Sequence, residues 1–132
     1  MLSLSASLKM LLFDCYFPCN DNSFVNSNRV ADVIGFIDCV CSDFPDYKVC
    51  VFGDLNFECS STDLGYSLFS DFATKLNLLD DLVNNNIDYT YHHAILGHKS
   101  WLDHMFIADI MKQLSAILPL STVSLITLTI YP

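Results

Sequence analysis

The chain has 132 residues, enough for one hydrophobic core and too few for two comfortable domains. Apolar residues make up 52% and charged residues 16%, which excludes a disordered chain and leaves a thin charged surface. Fifteen acids against six bases give a formal net charge of -9, the opposite of the basic footprint of nucleic-acid binders, so DNA or RNA binding by the chain is disfavoured.

Residues 8–17 predict a strand, apolar and ending at Pro18, followed by turn residues over 19–27. A helix is predicted over 29–44, because Val30, Val33, Ile34, Ile37, Val40, Cys41 and Phe44 recur at spacings of three and four. Ser27 or Asn28 is its expected N-cap, and Pro45 closes it. The run 48–52 predicts a short strand buried on both faces, and Gly53-Asp54-Leu55-Asn56 then sets polar side chains at its carboxyl end. After a polar loop over 59–63, a second helix is predicted over 65–78 with Leu68, Phe69, Phe72 and Leu76 on one side. A brief strand over 79–83 and a turn at 84–86 follow. Strands over 87–93 and 100–108 are expected to form a hairpin around Gly97.

Residues 113–132 carry no charge and are rich in leucine, β-branched residues and Ser/Thr. Pro119 and the hydroxyl side chains make a membrane span unlike this stretch, so buried strand or an ill-fitting terminal sequence is expected over 111–132. Cys15, Cys19, Cys39, Cys41, Cys50 and Cys59 have neither a secretory leader nor zinc-type pairing. They read as reduced thiols acting as small hydrophobes, in an intracellular (nuclear or cytoplasmic) protein.

Four pieces stand out in order: Tyr16-Phe17-Pro18, Gly53-Asp54-Leu55-Asn56, Tyr89-Thr90-Tyr91-His92 and Ser100-Trp101-Leu102-Asp103-His104. Each has a plain structural reading. Tyr16 suits a core strand, Asp54 and Asn56 suit a turn, and the histidines suit structural or solvated positions. Asp103, inside an apolar strand, is expected to look inward and to need a partner. Trp101 suits the core.

Together the four resemble the endonuclease/exonuclease/phosphatase superfamily, the fold of abasic-site nucleases, with the closest look to the endonuclease domains of non-LTR retrotransposons. The resemblance covers 8–110. It implies an α/β (α+β layered sandwich) chain matching the C-terminal half of a four-layer fold, and metal-dependent phosphodiester cleavage, most naturally DNA nicking. Magnesium is the implied cofactor, since carboxylates around a hard cation neutralise phosphoryl oxygens and orient water. The resemblance assigns Tyr16 a place beside the scissile phosphate and Asp54 the orientation or activation of the attacking water. It assigns Asn56 a hydrogen bond to phosphoryl oxygens, and Asp103 the holding of a catalytic histidine in its productive tautomer.

Two family elements are not found: the metal-ligand glutamate of the first half, and a terminal Ser-Asp-His, which occurs nowhere in the sequence. A truncated, inactive relative is therefore expected, with an active enzyme and a non-catalytic interaction module as the alternatives. An active enzyme would need a substitute metal site, for which Asp54, Glu58 and Asp80 are the candidate acids. Half a sandwich would also expose one sheet face and favour self-association. The tail suggests a shifted reading frame. Leu125-Ile126-Thr127 is encodable as CTG-ATC-ACN, which, read one base earlier after a T, spells Ser-Asp-His.

Overall fold

The computed structural model describes residues 8–17, 24–57, 64–80, 89–100, 102–108 and 123–130. Strand β1 (Leu8–Cys15) leads into helix α1 (Phe24–Asp43), strand β2 (Lys48–Asp54) and helix α2 (Leu64–Lys75). Strands β3 (Leu78–Asp80), β4 (Tyr91–His93), β5 (His98–Ser100), β6 (Asp103–Ala108) and β7 (Val123–Ile130) follow. Five strands form one mixed sheet in the order β3-β6-β2-β1-β7, and β4 with β5 forms a separate two-stranded ribbon. The chain is thus a mixed α/β protein.

Strand periodicity sorts the sheet into two faces. Leu11 and Phe13 of β1 lie beside Val49 and Val51 of β2, and Val51 lies beside Phe106 of β6. These side chains are buried and form one cluster with Val30, Val33 and Ile37 of α1 and Phe69, Phe72 and Ala73 of α2. Both helices therefore cover the same face. The two helices are also linked by Lys75, whose ammonium lies 2.8 and 2.9 Å from the Asp38 carboxylate oxygens. On the opposite face Leu12, Phe52, Met105 and Ile107 are part-exposed, and Leu79 and Leu125 are exposed.

Helix α1 starts at Phe24, within the segment expected to be turn, so neither Ser27 nor Asn28 is its N-cap. The first N–H groups of a helix have no partner inside it, and Asn and Ser are well tolerated there. Helix α2 ends before the expected 78, because Asn77 takes a left-handed backbone (φ 54°) and its N–H returns to the Thr74 carbonyl at 3.0 Å. Leu78 is thereby freed to begin β3.

The expected hairpin of 87–93 with 100–108 is corrected by the pairing. Tyr91 to His93 pair with His98 to Ser100 in the ribbon, whereas β6 crosses into the main sheet between β3 and β2. The Thr90 hydroxyl explains the break, since it accepts from the amides of both Leu102 (2.9 Å) and Asp103 (3.0 Å) and turns the chain there. Val123–Ile130, inside the uncharged terminal stretch, form a strand paired in parallel with all of β1. Cys15 and Cys50 are buried, and among the described residues no disulfide joins them or Cys39 and Cys41. Cys19, Cys59 and Trp101 lie outside the described residues. No described helix is long and apolar enough to cross a bilayer.

Candidate functional site

The four residues singled out in the sequence meet at one end of the sheet. Parallel strands β1 and β2 end there, at Cys15 and Asp54, and antiparallel β6 begins there, at Asp103. Gly53 makes the junction possible. Its φ is 127°, and a β-carbon on it would sit 2.1 Å from the Cys15 carbonyl oxygen.

Hydrogen bonds then lock the segments just beyond the strands. The Phe17 amide donates to the Asp54 carbonyl at 2.9 Å, and the Leu55 amide donates to the Leu102 carbonyl at 2.9 Å. Asn56 has a left-handed backbone (φ 50°), and its amide donates both to the Leu102 carbonyl (3.3 Å) and to Asp54 Oδ1 (3.2 Å). Its side-chain Nδ2 donates to the Phe17 carbonyl at 2.7 Å. Asn56 is buried, and one of its two amide protons is committed to tying the Tyr16-Phe17 segment down. This positioning role was not foreseen from the sequence. The left-handed backbone, which Asn adopts more readily than most residues, is its physical basis.

Asp54 and Asp103 are directly opposed register partners on β2 and β6, so both carboxylates leave the sheet on the face away from the helices. Opposed residues of an antiparallel pair have β-carbons about 4.5–5.5 Å apart. Burial and then the neighbouring Asp103 charge raise the Asp54 carboxyl above its ordinary value, against the Asn56 hydrogen bonds and the nearby His104, which lower it. Asp103 itself is exposed, which corrects the expectation of an inward-looking acid. Tyr16 is 50% exposed rather than a core aromatic, and its amide donates to the Ile130 carbonyl at 3.1 Å.

The buried polar residue of this strand is His104. It is 1% exposed and faces the helices from the position opposite Gly53. Its Nδ1 lies 2.7 Å from Asp80 Oδ2, and its Nε2 donates to the Phe57 carbonyl at 2.9 Å. Phe57 and Phe106 flank the ring, with centroids at 4.9 and 5.8 Å. His104 thus ties the loop after Asp54 to β3. The two-residue period of β6, which puts 104 on the same face as Phe106, was the available signal for this burial.

Asp80 is therefore committed to His104 and does not join Asp54, while Glu58, the third acid considered, lies outside the described residues. Among the described residues no group of three or more His, Cys, Asp or Glu side chains converges to hold an ion. Asp54 and Asp103 alone do not make the oxygen shell that magnesium takes from protein and substrate. The described residues therefore do not fit a resident metal. Their own capacity is narrower: a carboxylate whose proton is held more tightly than usual, a second acid across from it, and a half-exposed phenol just past the end of the adjacent strand.

Compared with protein-family models, with characterised proteins and with solved structures, the chain matches none.

Proposed function

We propose that this chain is a nuclease-like domain descended from the endonuclease of a non-LTR retrotransposon. In this reading it keeps the carboxyl sheet edge of a phosphodiester-cleaving site and is catalytically silent on the ligands it supplies. The sheet with both helices on one face would correspond to the C-terminal half of the four-layer fold. The observation that carries the reading is the register pairing of Asp54 with Asp103, with Tyr16 half-exposed one strand away. Like charges set directly opposite one another on a sheet cost stability. Perturbed carboxylates of this kind cluster where chemistry is or was done.

In such a site Asp54 would be the group to take a proton from an attacking water, and Tyr16 would flank the phosphate. Silence is supported by the commitments of the neighbouring groups: Asn56 to the Phe17 carbonyl and Asp80 to His104.

The test is incubation with supercoiled DNA and with an abasic-site duplex in magnesium. No nicking above an Asp54→Ala control is expected; magnesium-dependent nicking that vanishes in that variant would overturn the silence. Descent is tested in the genomic DNA around the coding sequence. A reverse-transcriptase reading frame beside it is the expected finding, and unrelated neighbouring genes on both sides would contradict the origin.

A further inference from the structure

We propose that the outer edge of β7 is a dimerisation edge, at which two copies of this chain join β7 to β7 in antiparallel fashion about a two-fold axis through Thr127. This goes beyond the reading of the carboxylate site and does not depend on it.

Strand β7 pairs with β1 without interruption, from Leu8↔Val123 to Cys15↔Ile130, and the Tyr16 amide donates to the Ile130 carbonyl at 3.1 Å. In a parallel ladder every second residue of a strand turns both its N–H and its C=O toward one neighbour. Ile130, Leu128, Ile126 and Ser124 therefore turn toward β1. Leu125, Thr127 and Thr129 turn their main-chain groups outward, and among the described strands none lies beyond β7.

Among the described residues this edge carries none of the usual protection against strand addition. Natural edges are short, charged, bulged or broken by proline. Strand β7 is eight residues long, carries no charge and no proline, and keeps one register throughout. The opposite edge, β3, is three residues long. The chain's net charge of -9 makes two copies repel in general, and β7 presents an edge without charge at which they can approach.

A second copy is the occupant because the strand complements itself. With the axis at Thr127, the outward groups of Leu125, Thr127 and Thr129 meet those of Thr129, Thr127 and Leu125 of the other copy, making about six main-chain hydrogen bonds. The same register keeps the faces matched. On the helix-covered face Ile126 lies beside Leu128 of the second copy and Ser124 beside Ile130. On the other face Leu125 lies beside Thr129, and Thr127 beside its own counterpart. Ile126, Leu128 and Ile130 pack only partly against the core of their own copy, so the junction buries what one copy leaves open. A one-residue slip would set the helix-covered face of one copy against the open face of the other.

Sedimentation equilibrium across a concentration series tests this, with a particle of twice the 14.9 kDa chain mass as the expected result. Thr127→Pro removes an outward N–H without touching the β1 ladder, and Thr127→Lys leaves every main-chain group in place but sets two ammonium groups opposite each other. Both variants should be monomers with unchanged far-ultraviolet circular dichroism. In the dimer the amides of Leu125, Thr127 and Thr129 should be protected from hydrogen exchange and lose that protection on dilution, while Ile126 and Leu128 stay protected. A wild-type monomer at every concentration would overturn the proposal. So would association that survives both substitutions, which would place the contact on the sheet face instead.

Discussion

Replacing Gly53 with alanine perturbs the one close approach on which the carboxylate edge depends. The added β-carbon would lie 2.1 Å from the Cys15 carbonyl oxygen and 3.1 Å from that residue's nitrogen and carbonyl carbon, all backbone atoms that no side-chain rotation can move. Favourable carbon contacts lie near 3.5 Å, so the ends of β1 and β2 would have to part by about 1 Å. The φ of 127° adds strain of about 1–3 kcal/mol for any residue with a β-carbon. Parting the strands also weakens two hydrogen bonds, Phe17 to Asp54 and Asn56 to Phe17, at about 1 kcal/mol each. The combined loss is about 4 kcal/mol, or roughly 10–15 °C in Tm for a domain of this size. Urea and thermal denaturation measure it. Gly35→Ala is the control: nothing lies within 4 Å of its added carbon, and in a helix the change should stabilise by about 0.5–1 kcal/mol. A Gly53→Ala protein within about 1 kcal/mol of wild type would refute the close approach and the edge geometry built on it.

Two further predictions concern the groups beside that edge. His104→Ala removes one partner of a buried pair and leaves the Asp80 carboxylate, 9% exposed, without its imidazole, so a loss of about 3–5 kcal/mol is expected in urea titrations. Asp80→Asn, which keeps an acceptor for the ring, should cost less. For Asp54 the folded state holds its proton more tightly than the unfolded chain, so over that window the native state binds more protons and stability falls as pH rises. The fall should begin near the ordinary value of 3.8 and end above the raised folded value. Comparing stability–pH curves checks this, with the Asp54→Asn curve expected to be the flatter of the two across the window.

The parts legible in the sequence are those governed by local periodicity. The three-and-four spacing of Val30, Val33 and Ile37 marked α1, and the same logic on Phe69 and Phe72 marked α2. The apolar run into Gly53 marked β2, and the placement of Asp54, Asn56, Tyr16 and Asp103 at one sheet end followed from the strand ends once the sheet was assembled. What escaped was non-local. The continuous β-favouring run from Ser100 to Ala108 gave no sign of its break, because the break is made by a Thr90 hydroxyl twelve residues from Leu102. The parallel pairing of β7 with β1 joins residues at opposite ends of the chain, and an uncharged run announces a strand without naming its partner. The exposure of Asp103 and the burial of His104 depend on which face the helices cover, a property of packing rather than of the strand itself.

Asp54 and Asp103, register partners on β2 and β6, share one site. Carboxyl carbon shifts followed by NMR through an acid titration test it directly, in the wild type and in Asp103→Asn. An Asp54 midpoint above the ordinary aspartate value is expected, and it falls when Asp103 loses its charge. An Asp54 midpoint that is ordinary in the wild type, or that stays put in Asp103→Asn, would contradict it.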